Sequence, residues 1–154
     1  MSILTTLTSL LDSHNIQYTH KHHPPTPTSE DSARERWEPI EIWGKALVLC
    51  GDGVFFVVII SAAKQFDTKK LKAQLWYKSI RFATKEELRD ITGLMSGSVP
   101  PIGRPLFDYD CYIDQTILAN EKIAFNAWSL TDSLILKTQD WLSVIAYTTV
   151  DCSK

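Results

Sequence analysis

The sequence predicts an α+β fold, a mixed, curled and barrel-like β-sheet flanked by helices, and three observations carry that prediction. Stretches with the 3.6-residue period of an amphipathic helix alternate irregularly with stretches of period two. The strongest hairpin signal, Gly51-Asp52-Gly53, joins two β-rich runs at 42–50 and 54–60. No repeat, linker or low-complexity tract divides the 154 residues, so residues 1–154 read as a single domain around one core.

The elements follow in order. Ile3, Leu4, Leu7, Leu10 and Leu11 fall on one stripe, which predicts a helix over the first dozen residues, ended by His14-Asn15. Ile16, Tyr18 and His20 alternate with polar residues as a half-buried strand does, until Pro24-Pro25-Thr26-Pro27 removes the ladder donors. Ser29 ahead of Glu30 and Asp31 predicts a short helix to about Trp37, closed by Pro39. The second hairpin strand is apolar at nearly every position and belongs at the centre of the sheet. Asp67 caps a helix carrying Leu71 and Leu75, and residues 79–83 read as a short strand. Thr84 and Glu87 form a capping box, Leu88 and Ile91 supply the buried stripe, and Gly93 is the stop. Residues 96–105 hold two glycines and three prolines and form a shaped loop. Beyond it, 111–114, 122–127 and 133–137 read as strands, and Thr138 caps a final helix containing Trp141, Leu142 and Ile145.

Composition narrows the function. A net charge of -2 and a pI near 6.1 give no global basic field, so any contact with RNA is local. Cys50, Cys111 and Cys152 form neither a CxxC pair nor an even framework, which points to a reduced, cytoplasmic setting. No basic residue precedes Lys21, and the longest apolar segment falls far short of the roughly 20 residues of a membrane helix. His20, His22 and His23 lack a third ligand at fixed spacing, so neither metal nor other cofactor is expected. Cys50 and Cys111 read as small buried hydrophobes rather than nucleophiles, and the pairs Glu30-Asp31 and Glu86-Glu87 as helix N-terminal acids rather than catalytic dyads.

Three stretches, in this order, carry a resemblance: Gly44-Lys45-Ala46-Leu47-Val48-Leu49, then Gly97-Ser98-Val99-Pro100-Pro101-Ile102-Gly103, then Phe125-Asn126-Ala127-Trp128-Ser129. With Asp67, Leu71 and Thr92-Gly93 between them, they resemble the YbaK family over about residues 16–145. That family comprises free-standing deacylases and the editing insertion of bacterial prolyl-tRNA synthetases. The resemblance implies hydrolysis in trans of the ester in a mischarged tRNA, of the Cys-tRNA(Pro) or Ala-tRNA(Pro) type, with water as nucleophile. It places Lys45, Gly97, Ser98, Val99 and Pro101 in the catalytic role, and Thr28, Ala46, Gly103, Ala127, Trp128 and Ser129 around the substrate. The implied partner is the aminoacylated acceptor end of tRNA, with a synthetase as a second candidate.

The chemistry suits these residue types. An aminoacyl ester is already activated, so hydrolysis needs orientation, a positioned water and stabilised oxyanion charge. A loop with glycine at one end and proline at the other can aim the N–H groups of Gly97, Ser98 and Val99 at one point. From the residues alone Lys45 is a solvated lysine at the hairpin's entry; the resemblance gives its ammonium a phosphate or a developing charge to hold. Two departures stand out: Trp128 lies where relatives commonly keep a small residue, and Ser98 where some carry a second glycine. Two other readings stay open. One is a non-catalytic module of the same fold that binds tRNA, a synthetase or an amino-acid-like ligand; the other is an unrelated hydrolase using Lys45 with a carboxylate.

Overall fold

The computed structural model describes residues 3–22, 39–94, 98–104, 106–127 and 131–154, so the helix expected over 29–37 lies outside the described residues. Along the described chain, α1 (Ile3–Ser13) and β1 (Tyr18–His22) precede a 3-10 turn (Ile40–Ile42), which opens into β2 (Gly44–Gly51) and β3 (Val54–Ser61). There follow α2 (Thr68–Leu75), β4 (Ile80–Phe82), α3 (Lys85–Thr92), β5 (Asp110–Asp114), α4 (Gln115–Leu118), β6 (Lys122–Asn126), β7 (Asp132–Lys137), α5 (Thr138–Ser143) and β8 (Thr148–Val150).

An unbroken apolar strand needs cover on both faces, and β3 has it. Val57 and Ile59 turn into the main core, while Phe56, Val58 and Ile60 turn into a second core on the opposite face. The hairpin with β2 closes through Asp52-Gly53, both at positive φ (49° and 88°), the conformation that matches strand twist in a two-residue turn. The larger sheet runs β4-β2-β3-β5-β8, antiparallel across β4, β2 and β3 and parallel across β3, β5 and β8, so β3 is central as its composition predicts. A second, antiparallel sheet runs β1-β7-β6 and meets the first through a parallel bridge between Trp43 and Ala124. The curling is shared between two sheets and neither closes into a barrel.

The main core fills the space between the sheets. Val48, Val57 and Ile113 of the larger sheet pack with Ile123, Phe125, Leu134 and Leu136 of the smaller, sealed by Leu7 and Leu11 of α1 and Trp141 and Leu142 of α5. The second core sits under α2, where Leu71 meets Phe56, Val58, Ile60, Val150 and Cys152.

The local signals decide most boundaries. Asp67 accepts the Lys69 and Lys70 N–H groups at the start of α2, Thr84 and Glu87 complete the capping box of α3, and Gly93 at φ 74° ends it. Three features differ from the sequence expectation. The first strand begins at Tyr18 because Asn15 takes a left-handed turn (φ 57°) after α1 and Ile16 still packs on the core. Thr138 does not cap the last helix: β7 runs straight into it, Lys137 occupies the cap position, and the buried Thr138 hydroxyl has no partner among the described residues. The short elements α4 and β8 were not anticipated. Both depend on Asp114, which accepts the Thr116 N–H at 3.1 Å and the Cys152 N–H at 2.7 Å.

Candidate active site

The site begins with a mismatch of strand lengths. β4 pairs with β2 only from Leu49 to Gly51, and the Ala83 N–H still donates to the Val48 carbonyl at 3.0 Å. There the capping box turns the chain into α3. In an antiparallel ladder alternate residues present both main-chain groups to the same neighbour. Ala46, two residues before Val48, therefore faces the side that β4 has left, and no described residue pairs with it there.

A cavity of about 250 Å³ occupies that side. Its walls are residues 46–48 of β2, residues 82–85 at the β4–α3 junction, Leu88 of α3, and Val99 from the glycine- and proline-rich loop. The junction is fixed by charge. Arg81 donates to both oxygens of Glu87 at 2.7 and 2.9 Å, and Glu87 also accepts the Thr84 N–H at 2.9 Å. The Arg81 hydrogen bond, followed by the Thr84 N–H, lowers the Glu87 carboxyl to about 2. Thr84 Oγ1 accepts the Glu87 N–H at 3.1 Å, which leaves the hydroxyl proton free of any described acceptor. The cavity wall thus carries aliphatic side chains, one hydroxyl, one ammonium from Lys85 and an open strand edge.

The described part of the loop is held from behind. Ser98, Val99, Pro100, Pro101, Ile102 and Gly103 are all buried. The buried Trp141 indole donates to the Pro101 carbonyl at 3.1 Å, tying the loop to α5, and the Ile102 N–H returns to the Pro100 carbonyl at 2.9 Å. At Gly103 a Cβ would stand 2.4 Å from the Tyr109 carbonyl, so glycine is required there by close approach of two backbones.

The residues singled out by sequence fall into three groups. Ala46 and Val99 meet in the cavity wall. Lys45 is exposed and is not a lining residue; it shares a strand face with Leu47, which is. Ser98, Pro101, Gly103 and Ala127 are buried, Ala127 within the main core, where its N–H donates to the Asp132 carbonyl at 2.9 Å. Thr28, Gly97, Trp128 and Ser129 lie outside the described residues. Sequence reasoning missed Phe82, Thr84, Lys85 and Leu88 as cavity residues. The capping box was visible, but nothing in a single sequence tells that it stands beside the uncovered edge of β2.

The rival constellations are placed as well. His20 Nε2 and His22 Nδ1 both contact Asp132 Oδ1, at 2.9 and 3.1 Å, and His23 lies outside the described residues. Among the described residues no group of three His, Cys, Asp or Glu side chains is disposed to hold a metal ion. All three cysteines are buried and free, and burial pushes the Cys111 thiol up to about 12, far from a thiolate at neutral pH. No described helix is long and apolar enough to cross a membrane.

Comparison with known proteins supplies the deciding observation: the model of the aminoacyl-tRNA editing domain family matches residues 23–144, most of the chain and every described wall of the cavity. The chain belongs to the aminoacyl-tRNA editing domain family. Within it, the multifunctional Ser/Thr-tRNA deacylase ProXp-y of Escherichia coli (strain K12) is 32% identical over 106 residues, which are 65% of this chain and 62% of that protein. The chain thus spans somewhat less than two thirds of the length of that relative. Among solved structures, a protein described as a trans-editing enzyme for prolyl tRNA synthetase superposes with a TM-score of 0.84 at 18% identity, covering 100% of this chain and 98% of that one. The hypothetical protein APE2540 gives the same TM-score and identity over 96% and 99%. These superpositions show that the editing domain has the fold of those structures, the α+β fold expected of a YbaK-like protein.

Proposed function

We propose that this editing domain hydrolyses the ester of a mischarged aminoacyl-tRNA in trans, the terminal adenosine and a small aminoacyl group entering the cavity beside β2. The observation that carries the proposal is the meeting of Ala46 and Val99, from two of the three segments that resemble the YbaK family, in one cavity wall. The Ser/Thr-tRNA deacylase activity for which the Escherichia coli relative is named, and the prolyl trans-editing description of the structural relative, lend support from the family side.

The described lining residues include no carboxylate, imidazole or thiol, which supports attack by water with the protein supplying orientation and charge stabilisation. The open Ala46 N–H and the Thr84 hydroxyl are the donors nearest the substrate's carbonyl and ribose oxygens in this reading. Lys45 stands two residues, roughly 7 Å, along the strand from Leu47 on the same face, a span its four-carbon stem covers. Its ammonium then meets the terminal phosphate at the cavity's rim. Binding energy outside the reacting bond would thereby hold the ester in place.

The wall of Ala46, Leu47, Val48, Leu88 and Val99 suits a small side chain. An apolar pocket rejects a near-isostere that only adds a hydroxyl by no more than about a hundredfold. Alanyl, cysteinyl, seryl and threonyl esters are therefore all within its range, which joins the Cys-tRNA(Pro)/Ala-tRNA(Pro) expectation to the activity of the relative. The test is a panel of tRNAs mischarged with these four amino acids. At least one is deacylated, Lys45→Ala lowers that rate with the fold intact, and Gly97→Val, which removes the loop's conformational freedom, lowers it too. Failure to release any amino acid above the buffer rate would refute the hydrolase and leave a binding module.

A further inference from the structure

Two large aromatic side chains are exposed along the stretch of chain that leads through β4 to the cavity wall. Phe82, 56% exposed, lines the cavity from β4; Trp76, 90% exposed, lies six residues earlier, ahead of that strand. Trp76 is the residue that follows α2, and it holds a left-handed conformation (φ 62°, ψ 24°) that bulky side chains rarely adopt.

The backbone around this indole is held on every side. The Trp76 N–H donates to the Lys72 carbonyl at 2.9 Å. The next residue, Tyr77, lays its ring parallel to Phe56 (centroids 5.5 Å apart, planes 6° apart) over the place where Gly51 lacks a Cβ. Asp52 at the hairpin tip then accepts the Lys78 and Ser79 N–H groups at 2.9 and 3.0 Å. A fixed backbone therefore presents a free aromatic face, with little left to order when a planar partner arrives. The flanking cations are Lys72, one turn earlier on α2, and the exposed Lys78; the acid beside Lys78 is Asp52, whose two oxygens are taken by main-chain N–H groups.

We infer that Trp76 is a stacking platform for a nucleobase of the tRNA acceptor arm, with Lys72 and Lys78 facing the adjoining phosphates. The inference rests on the proposed aminoacyl-tRNA substrate and extends it beyond the cavity. Six residues of chain separate Trp76 from Phe82, at most about 22 Å, or no more than roughly six stacked nucleotides at ~3.4 Å each. A strand whose terminal adenosine sits in the cavity and which follows the β4 edge thus meets the indole while still in the acceptor arm. Aromatic stacking tolerates any base, and the two lysines supply the local positive charge that the whole chain, at -2, does not.

The test compares the wild type with Trp76→Ala, Trp76→Tyr and Trp76→Gly on two substrates, an intact mischarged tRNA and an aminoacylated CCA trinucleotide, which carries none of the acceptor-arm bases beyond the CCA end. Trp76→Ala weakens binding of uncharged tRNA, read by fluorescence anisotropy, and raises KM about tenfold, without changing kcat or turnover of the trinucleotide. Trp76→Tyr keeps most of the affinity. Trp76→Gly relieves the left-handed strain and melts no lower than the wild type, yet loses affinity as the alanine variant does, which separates stacking from folding. Lys78→Ala reduces the slope of log affinity against log salt by about one, whereas Trp76→Ala leaves it unchanged. Wild-type tRNA affinity in both Trp76→Ala and Trp76→Gly would overturn the inference and leave the indole as a surface for a protein partner. Trinucleotide hydrolysis with no effect at Trp76 refutes the platform alone; no hydrolysis, but tRNA binding sensitive to Trp76, refutes the deacylase alone.

Discussion

Replacing Asp114 by asparagine tests how the far edge of the larger sheet is held. The Asp114 side chain is fully buried and ties three segments together. One oxygen takes the Cys152 N–H at 2.7 Å; the other takes the Thr116 N–H at 3.1 Å, the Ser153 hydroxyl at 3.0 Å and the Thr116 hydroxyl. Burial acts to raise the carboxyl, but these four hydrogen bonds outweigh it and hold the group below its ordinary 3.8. In Asp114→Asn the amide oxygen can serve one side only, and its NH2 faces a buried N–H. One orphaned donor at about 1–3 kcal/mol, plus lost charge assistance in the bonds that remain, makes a loss of about 3 kcal/mol. At about 2–4 °C per kcal/mol for a domain of this size, Tm falls by about 6–12 °C at pH 7. Because the folded carboxyl titrates lower than the unfolded one, its contribution is complete above the ordinary value and disappears as pH falls through the folded one. Calorimetry from pH 7 to pH 2 should therefore show the two proteins converging in acid. A gap that stays constant across that range, or an unchanged Tm at pH 7, would refute the reasoning.

Three further outcomes follow from the cavity's surroundings. Glu87→Gln removes the carboxylate held at about 2 by Arg81 and the Thr84 N–H, so amide exchange at Thr84 and Lys85 accelerates at pH 7; in the wild type the same loosening appears only as pH falls from about 4.5 toward 2, and equal protection in both proteins at pH 7 would count against the pin. Thr84→Val loses both the helix cap, worth about 1 kcal/mol, and the cavity's hydroxyl donor, whereas Thr84→Ser keeps both; a valine variant as active as the serine one on mischarged tRNA shows that the donor is not used. Gly51→Ala places a Cβ 2.7 Å from the Tyr77 ring and forces it off Phe56, at about 1–3 kcal/mol, seen as a lower urea midpoint; an unchanged midpoint means the ring moves freely.

Elements set by local chemistry were legible in the sequence, and those set by distant pairing were not. The Asp52-Gly53 turn, the Asp67 cap and the Thr84–Glu87 box each state their conformation within four residues, and the structure follows them. β8 is three residues, Thr-Thr-Val, and exists because β5 offers a parallel edge and Asp114 fixes the residues just beyond it. Thr138 misled because a hydroxyl ahead of a helical stripe signals a cap equally well whether the chain arrives from a loop or, as here, directly from a strand. At the site, Ala46 and Val99 could be named from the resemblance, while Phe82, Thr84, Lys85 and Leu88 needed the register of β4 on β2, which no periodicity encodes.

That register also explains why a cavity exists at this edge. A third strand as long as β2 would pair with Ala46 and leave a flat sheet with nothing to bind. The capping box prevents it by turning the chain into α3 immediately after the Ala83 to Val48 hydrogen bond, so the signal that starts the helix is also the one that stops the strand. Arg81, in the middle of β4, then holds Glu87 and so ties that strand to the new helix. The open main chain of β2, the hydroxyl of Thr84 and the ammonium of Lys85 are brought to one space by the Ala83 hydrogen bond, the capping box and the Arg81–Glu87 pair. Phe82 belongs to the cavity wall and Trp76 is exposed six residues earlier, so in the proposed reading β4 separates the space for the aminoacyl ester from the path of the nucleotides behind it.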